Sequence, residues 1–406
     1  MNIQMVDLKG QYMRIKSSVD QAVASVIDSC AFINGPQVKT FCQNLQKYLN
    51  VKHVIPCANG TDALQISLMA LGLKPGDEVI VPAFTYVATA EVIGLLGLTP
   101  VMVDVDERTF NVTIDNIRRG LTPRTKAIVP VHLFGQSCDM QQIMAFAKEH
   151  GLYVVEDNAQ ALGGWSTIKE TDGEDGTVGE YRRMNGTIGD IGCTSFFPSK
   201  NLGCYGDGGA IMTNNDDLAE KLRMIANHGQ RIKYHHSVIG CNSRLDTIQA
   251  AILDVKLQHL DEYCALRYKA AQYYTDKLKE FDPTEKYFQT PLEAGDGGHV
   301  YHQYTLIIRD NHSTGASQES KFVSVRDELK NYLSEHGIPS MVYYPLPLQE
   351  QEAFKDIAVP AEKLDVAKRL SLSVLSLPMH TELKEEVQDF IIEKIKEFFI
   401  KSQYDV

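Results

Sequence analysis

From about residue 50 to residue 215 the chain alternates short apolar runs with longer amphipathic stretches, and this alternation restricts the fold more than any other feature. "HVIPC", "EVIVPA", "TPVMVDV", "KAIVPVHLF" and "LYVVED" are rich in Val and Ile and apolar at successive positions. A strand with one solvated face would alternate apolar with polar residues. Runs apolar on both faces belong inside a parallel sheet covered by helices on each side. Between them, "TDALQISLMALGL" and "DMQQIMAFAKEHGL" read as helices, the second ending at a plausible glycine cap. The pattern predicts an α/β, doubly wound large domain with a mostly parallel sheet. Near residue 245 it changes to one long helical stretch, "LDTIQAAILDVKLQHLDEYCALRYKAAQYYTDKL", followed by mixed strands and helices. The expected division is an N-terminal arm over 1–25, a large domain over 26–255 and a smaller α+β domain over 256–406. Residues 165–186 are acidic and glycine-rich without apolar periodicity and read as an inserted surface loop or flap; residues 310–320 read as a polar loop.

Charge and cysteine usage narrow the function classes. The formal net charge is −12 and no run of Lys or Arg interrupts it, which argues against a nucleic-acid partner. The N-terminus lacks the apolar core of a signal peptide and no apolar run is long enough to span a bilayer, so a cytoplasmic protein without a membrane partner is expected. Eight cysteines are scattered with no C-x-x-C pair, a pattern that suits reduced thiols rather than disulfides or a metal site; no metal is expected.

Ligands of open α/β sheets gather at the carboxyl ends of the strands, so the residues delivered there carry the functional reading. "LYVVEDNAQALG" delivers Asp157 and, about one helical turn later, Gln160. Such an aspartate either caps a helix or pairs with a cationic ring nitrogen. "HVIPCANGTDALQ" delivers Asn59, Gly60 and Thr61 where a helix begins, which is either a plain N-cap or a phosphate site built from free amides. "EVIVPAFTYVATA" delivers Tyr86, a core aromatic or a stacking partner for a flat heterocycle. "TSFFPSKNLGCYGDGGA" delivers Ser195 and Lys200 and then a loop with Gly203, Gly206, Gly208 and Gly209. It is neither a dinucleotide fingerprint nor a Walker motif, because "GGAIMTNN" reads as the next strand. The glycines suit a close-fitting turn beside a bound ligand. Taken together, the residues fit one ligand with a phosphate, a flat ring, a protonated ring nitrogen and a site for amine attachment. Pyridoxal phosphate has these features.

The same stretches, with "PAFTYVATAE", "VHLFGQSCDM", "GCNSRLDTIQAAIL" and "LSLPMH", resemble the motif series of the DegT/StrS family from about residue 3 to 395. That family comprises sugar-nucleotide aminotransferases of the fold-type I, pyridoxal-phosphate-dependent class. The resemblance implies Lys200 as the Schiff-base lysine and Asp157 as partner of the pyridine nitrogen. Gln160 then contacts the ring hydroxyl and Tyr86 stacks on the ring. Gly60, Thr61, Ser195 and, from a neighbouring subunit, Asn242 hold the phosphate, which implies a homodimer with shared active sites. The implied reaction is ping-pong: L-glutamate donates its amino group, leaving the pyridoxamine form to aminate a keto nucleotide-sugar.

Within the family, "FTYVATAE", the lysine loop and "HGQRIKYHHSVIGCNSRLDTIQAAIL" are most similar to enzymes acting on UDP-2-acetamido-2-deoxy-3-oxo-D-glucuronate, which make precursors of bacterial surface polysaccharide. The substrate contacts expected are Arg244, as partner of a carboxylate, with Tyr344 and His302. Arg231, Tyr234, His235 and His236 either line the nucleotide-sugar site or form a solvated loop. Gln349 stands where many relatives carry histidine, so no substrate contact is carried to that position. Three rivals remain: a dTDP- or UDP-4-keto-6-deoxy sugar as substrate, a pyridoxamine-dependent dehydratase, and a non-enzymatic regulator. Lys200 argues against the dehydratases, which carry histidine there.

Overall fold

The computed structural model describes residues 2–172, 177–295, 298–309 and 324–401; the expected polar loop at 310–320 lies outside them. Helix α1 (Leu8–Ser29) starts at Asp7, whose carboxylate accepts from the Gly10 amide at 2.7 Å. Helix α2 (Pro36–Leu49) follows, and then the predicted alternation: β1 (His53–Cys57), α3 (Gly60–Leu71), β2 (Glu78–Pro82), α4 (Ala88–Leu95), β3 (Thr99–Val103), α5 (Ile114–Gly120), β4 (Thr125–Ile128), α6 (Met140–His150) and β5 (Tyr153–Asp157). Helix α6 ends as expected, on Gly151 with φ of 64°. The chain continues through β6 (Trp165–Asp172), β7 (Thr177–Met184), β8 (Ile191–Ser195), β9 (Gly209–Thr213), α7 (Asp216–Ala226), β10 (Gln230–Ile232), β11 (His235–His236), α8 (Thr247–Leu257) and α9 (Leu260–Phe281). The remaining elements are β12 (Phe288–Gln289), β13 (Tyr304–Ile308), α10 (Val325–Glu335), β14 (Val359–Pro360), α11 (Asp365–Ser373), β15 (Val374–Leu377) and α12 (Glu385–Lys401).

The main sheet has eight strands in the order β1-β9-β8-β5-β4-β2-β3-β14. Strand β9 pairs antiparallel with β1 and β8, and every other pairing is parallel. Consecutive residues Val79, Ile80 and Val81 are wholly buried, so both faces of β2 are covered, as its unbroken apolar run requires. A second, antiparallel sheet β12-β13-β15 packs with α9, α10 and α12 around Tyr274, Tyr304, Leu329 and Ile391. Helix α1 lies on α8 through Ile15, Val19 and Ile252.

Two expectations are corrected. The single long helical stretch is two helices, because the backbone leaves helical geometry at His259, with φ of −109° and ψ of 1°. Leu257 and Leu260 on either side are both buried in one apolar cluster, so the turn serves burial while the sequence period hides it. The 165–186 insertion is not a loop; β6 and β7 form an antiparallel ribbon, in register from Trp165 opposite Met184 to Asp172 opposite Thr177. Ile168 is buried beneath the ribbon, the Lys169 amide donates to Gln141 of α6, and Arg182 stacks 3.9 Å from the Trp165 ring centre. Very few apolar side chains anchor the ribbon, too few to print a two-residue period on the sequence.

Candidate active site

Strands β1, β2, β4, β5 and β8 run in the same direction, and their carboxyl ends open onto a cleft of about 690 Å³. Adjacent strands β5 and β8 carry its two reactive groups, Asp157 at the end of one and Lys200 in the loop beyond the other.

Asp157 is buried, and its carboxylate is met by two donors. Thr89 Oγ1, in the first turn of α4, donates to Oδ2 at 2.8 Å, and the Ala159 amide donates to Oδ1 at 3.2 Å. Burial pushes the Asp157 carboxyl above its ordinary range, while those two hydrogen bonds and the charge of Lys200 oppose the shift. The strand end is held from behind by His132, whose amide donates to Asp157 O at 3.1 Å. The His132 ring is buried between Glu156 Oε2 at 2.9 Å and the Cys138 amide, which donates to Nδ1 at 3.1 Å. Glu156 also accepts from the Gly186, Ile188 and Gly189 amides, tying the foot of the β6–β7 ribbon to the strand that bears Asp157.

Lys200 sits on a turn closed by its own amide, which donates to Phe197 O at 2.8 Å. Burial pulls its ammonium down to about 8, with Asp157 pulling the other way. At the third side of the cleft, Asn59 caps α3 by accepting from the Asp62 amide at 2.8 Å, leaving the Gly60 and Thr61 amides at the helix start facing the cavity. Ser195 presses against Gly60 so closely that a Cβ there would lie 2.7 Å from Ser195 Cβ. Only glycine fits, and the cradle between helix start and strand end stays open to an anion.

The ring-sized space between these groups is bounded by Tyr86, Gln160, His302 and Tyr344. Gln160 accepts from the Phe134 amide at 2.7 Å and donates to Tyr344 Oη at 3.1 Å. Tyr86 is 56% exposed, its ring centre 6.2 Å from that of Tyr344. His302 is buried with Nδ1 lacking a hydrogen-bond partner, and burial, Lys200 and Arg267 push it well below its usual value, so the imidazole is neutral.

Ten residues singled out from sequence therefore line one cleft: Asn59, Gly60, Thr61, Tyr86, Asp157, Gln160, Ser195, Lys200, His302 and Tyr344. Asn242 and Arg244 do not line the cleft of their own chain; Asn242 is exposed and pairs with Asn227. Their neighbour Ser243 acts within the chain. Its hydroxyl donates to Asp62 at 2.5 Å and accepts from the Ala58 amide at 3.0 Å, bracing the start of α3. Arg231, Tyr234, His235 and His236 are exposed on and around the β10–β11 hairpin and outside the cleft. Sequence reasoning missed Thr89, Phe134 and Ser243; a hydroxyl one turn past the Tyr86 loop was the one available signal. The glycines after Lys200 also differ from expectation. Gly203, Gly206 and Gly208 give close approach to Pro198, Gln249 and Leu245, which are protein neighbours, while Gly209 abuts Asn59 beside the α3 start.

Among the described residues no group of three or more His, Cys, Asp or Glu side chains is placed to hold a metal, and no helix is long and apolar enough to cross a membrane. The donor set fits pyridoxal phosphate: a helix start that lines the cleft beside Ser195, a desolvated carboxylate without a salt-bridge partner among the described residues, and a lysine held partly uncharged.

Comparison with known proteins gives a consistent result. A model of the DegT/DnrJ/EryC1/StrS aminotransferase family matches residues 13–396. The chain is 45% identical over 399 residues to the pleiotropic regulatory protein of Geobacillus stearothermophilus, covering 98% of this chain and 99% of that one. It is 44% identical over 379 residues to the UDP-2-acetamido-2-deoxy-3-oxo-D-glucuronate aminotransferase of Pseudomonas aeruginosa, covering 93% and 95%. A crystal structure of a DegT DnrJ EryC1 StrS aminotransferase from Brucella abortus superposes with a TM-score of 0.86 at 40% identity, covering 98% and 99%.

Proposed function

The chain belongs to the DegT/DnrJ/EryC1/StrS aminotransferase family, and we propose that it moves the amino group of L-glutamate to the keto carbon of UDP-2-acetamido-2-deoxy-3-oxo-D-glucuronate. It is a pyridoxal-phosphate-dependent sugar aminotransferase, and the bound cofactor supplies the electron sink that lets a proton leave the amine-bearing carbon. The observation that carries the reading is Lys200 and Asp157 facing one cleft from adjacent parallel strands.

Each residue then has a task. Asp157, desolvated and short of positive charge, holds a protonated ring nitrogen through a charge-assisted hydrogen bond worth roughly 1.5–3 kcal/mol. Lys200 Nζ, with its ammonium pulled to about 8, takes up the proton released from the substrate carbon and returns it; a base works best when its pKa lies near the operating pH. The Gly60 and Thr61 amides and Ser195 bind the phosphate. Tyr86 covers the ring face and Gln160 meets its hydroxyl. Neutral His302 and Tyr344 bind the substrate from the remaining side. Asn242 and Arg244 reach the cleft of a second copy, Asn242 on the phosphate and Arg244 on the uronate carboxylate. The product would serve as a precursor of bacterial surface polysaccharide.

The test separates the two half-reactions. Enzyme is converted to the pyridoxamine form with L-glutamate and freed of donor. It is then mixed with UDP-2-acetamido-2-deoxy-3-oxo-D-glucuronate or, separately, with dTDP- and UDP-4-keto-6-deoxy sugars. Rapid return of the visible absorbance of the pyridoxal form with the 3-oxo uronate alone is expected. Return with a 4-keto sugar alone would overturn the substrate and retain the cofactor.

A further inference from the structure

Two side chains of α8, seven residues and therefore two turns apart on one helix face, reach the loop that bears Lys200. Gln249 grips the backbone of Tyr205 twice: Oε1 accepts from its amide at 2.8 Å and Nε2 donates to its carbonyl at 3.2 Å. Lys256 is 1% exposed, donates from Nζ to Gly203 O at 2.5 Å and lies 5.4 Å from the Tyr205 ring centre. Lysines are almost never fully buried unless paired, and the partners here are a carbonyl and a π face, with no carboxylate among them. An apolar side chain of similar length would fill the space without desolvating an ammonium. What lysine adds is a donor aimed at one carbonyl.

That carbonyl belongs to the segment that orients Lys200. The neck of the loop is closed at Phe196, whose amide donates to Gly208 O and whose carbonyl accepts from the Cys204 amide, both at 2.8 Å. Above the neck, Gly203 lies against the turn that carries Lys200, so tightly that a Cβ would stand 2.3 Å from Pro198 O. Gly206 in turn meets Gln249, where a Cβ would lie 3.0 Å from Nε2. A shift of Gly203 would therefore move the 198–200 turn with it. We infer that Lys256, braced by Gln249, is a positioning residue that sets the place of the Lys200 amine through Gly203 and the turn at Pro198. The inference rests on Lys200 being the residue that binds the cofactor. Burial pulls the Lys256 ammonium down to about 8, with Cys204 opposing and Arg267 adding to the shift, and a neutral amine still donates to the carbonyl.

The experiment times the capture of pyridoxal phosphate by the apoenzyme. Samples are reduced with borohydride at intervals, and the peptide carrying residue 200 is quantified. In Lys256→Met, labelling of Lys200 should slow about tenfold, with kcat falling alike and KM for glutamate changing less than twofold; Lys256→Arg should recover most of the rate. Folded Lys256→Met protein that labels at the wild-type rate would overturn the inference. So would Lys256→Arg as slow as Lys256→Met, since a donor would then not be what matters. If Lys256→Met does not fold, Gln249→Met decides: capture about threefold slower supports the clamp and unchanged capture overturns it. Absence of label on Lys200 in the wild-type protein would overturn the proposed function, and with it this inference, a result distinct from an unaltered variant rate.

Discussion

The floor of the cleft and the surface beside it are built on opposite principles. On the floor, Asp157 and His302 are 6% and 5% exposed, Lys200 is pulled down to about 8, and hydrogen bonds fix the side chains of Asp157 and Gln160. On the neighbouring surface, Ile232, Tyr234 and Ile239 are 67%, 78% and 86% exposed, and Asn242 is exposed outside its own cleft. The contrast separates chemistry from recognition. Groups that must be desolvated to work are fixed by the core of one chain, whereas the exposed loops gain a role only against something else, which the proposed function takes to be a second copy.

The largest effect expected on the floor is that of Lys200→Ala, which should lower turnover about a thousandfold or more, since no other group replaces the general base. Multiple turnovers at a near wild-type rate would break the comparison at its foundation. Asp157→Asn comes next. The amide keeps the shape but not the charge, and losing a charged hydrogen bond worth roughly 1.5–3 kcal/mol should slow both half-reactions about 10- to 100-fold. Slowing of the sugar half alone would mean that Asp157 faces substrate instead.

These floor residues were legible in the sequence because a buried parallel strand writes an unbroken apolar run, and ligands meet such strands at their carboxyl ends. Asp157 closes β5 and the Lys200 loop follows β8, so position alone nominated them. What stayed hidden is contact across long sequence separations. Thr89 reaches Asp157 over 68 residues and Lys256 reaches Gly203 over 53, and neither contact leaves a period or a motif. The β6–β7 ribbon was misread for a related reason: its strands are held by each other and by α6 more than by the core, so their alternation is weak. In "GCNSRLD" the family resemblance drew attention to Asn242 and the guanidinium to Arg244. Burial within the chain adds Ser243, which braces the α3 start.

The loop outside the cleft, where Arg244 is half-buried, supplies the sharper discrimination. Arg244→Ala should weaken the sugar half-reaction about tenfold, the loss of one charged contact, while the glutamate half stays within about twofold of wild type. Equal loss in both halves would assign Arg244 to the donor carboxylates as well. Loss in neither would leave the loop without a role in recognition.

The smallest effect concerns stability and needs no substrate. Lys200 titrates near 8 in the folded apoenzyme against an ordinary value of 10.5, so between those values the unfolded chain binds more protons than the native one. Stability should therefore rise with pH across this window. The cost of the buried ammonium is fully present below about 8 and is gone once the pH passes 10.5. Discounted for partial access of water, one such lysine is worth about 1 kcal/mol between pH 7 and 9. Lys256, also pulled to about 8, adds a slope of the same sign. Urea unfolding of the apoenzyme at the two pH values should show the gain, and Lys200→Met should remove about half of it while leaving the part due to Lys256. A slope unchanged in Lys200→Met would mean that water reaches the amine freely, and the floor would then differ from the exposed surface in sequence alone and not in its electrostatics.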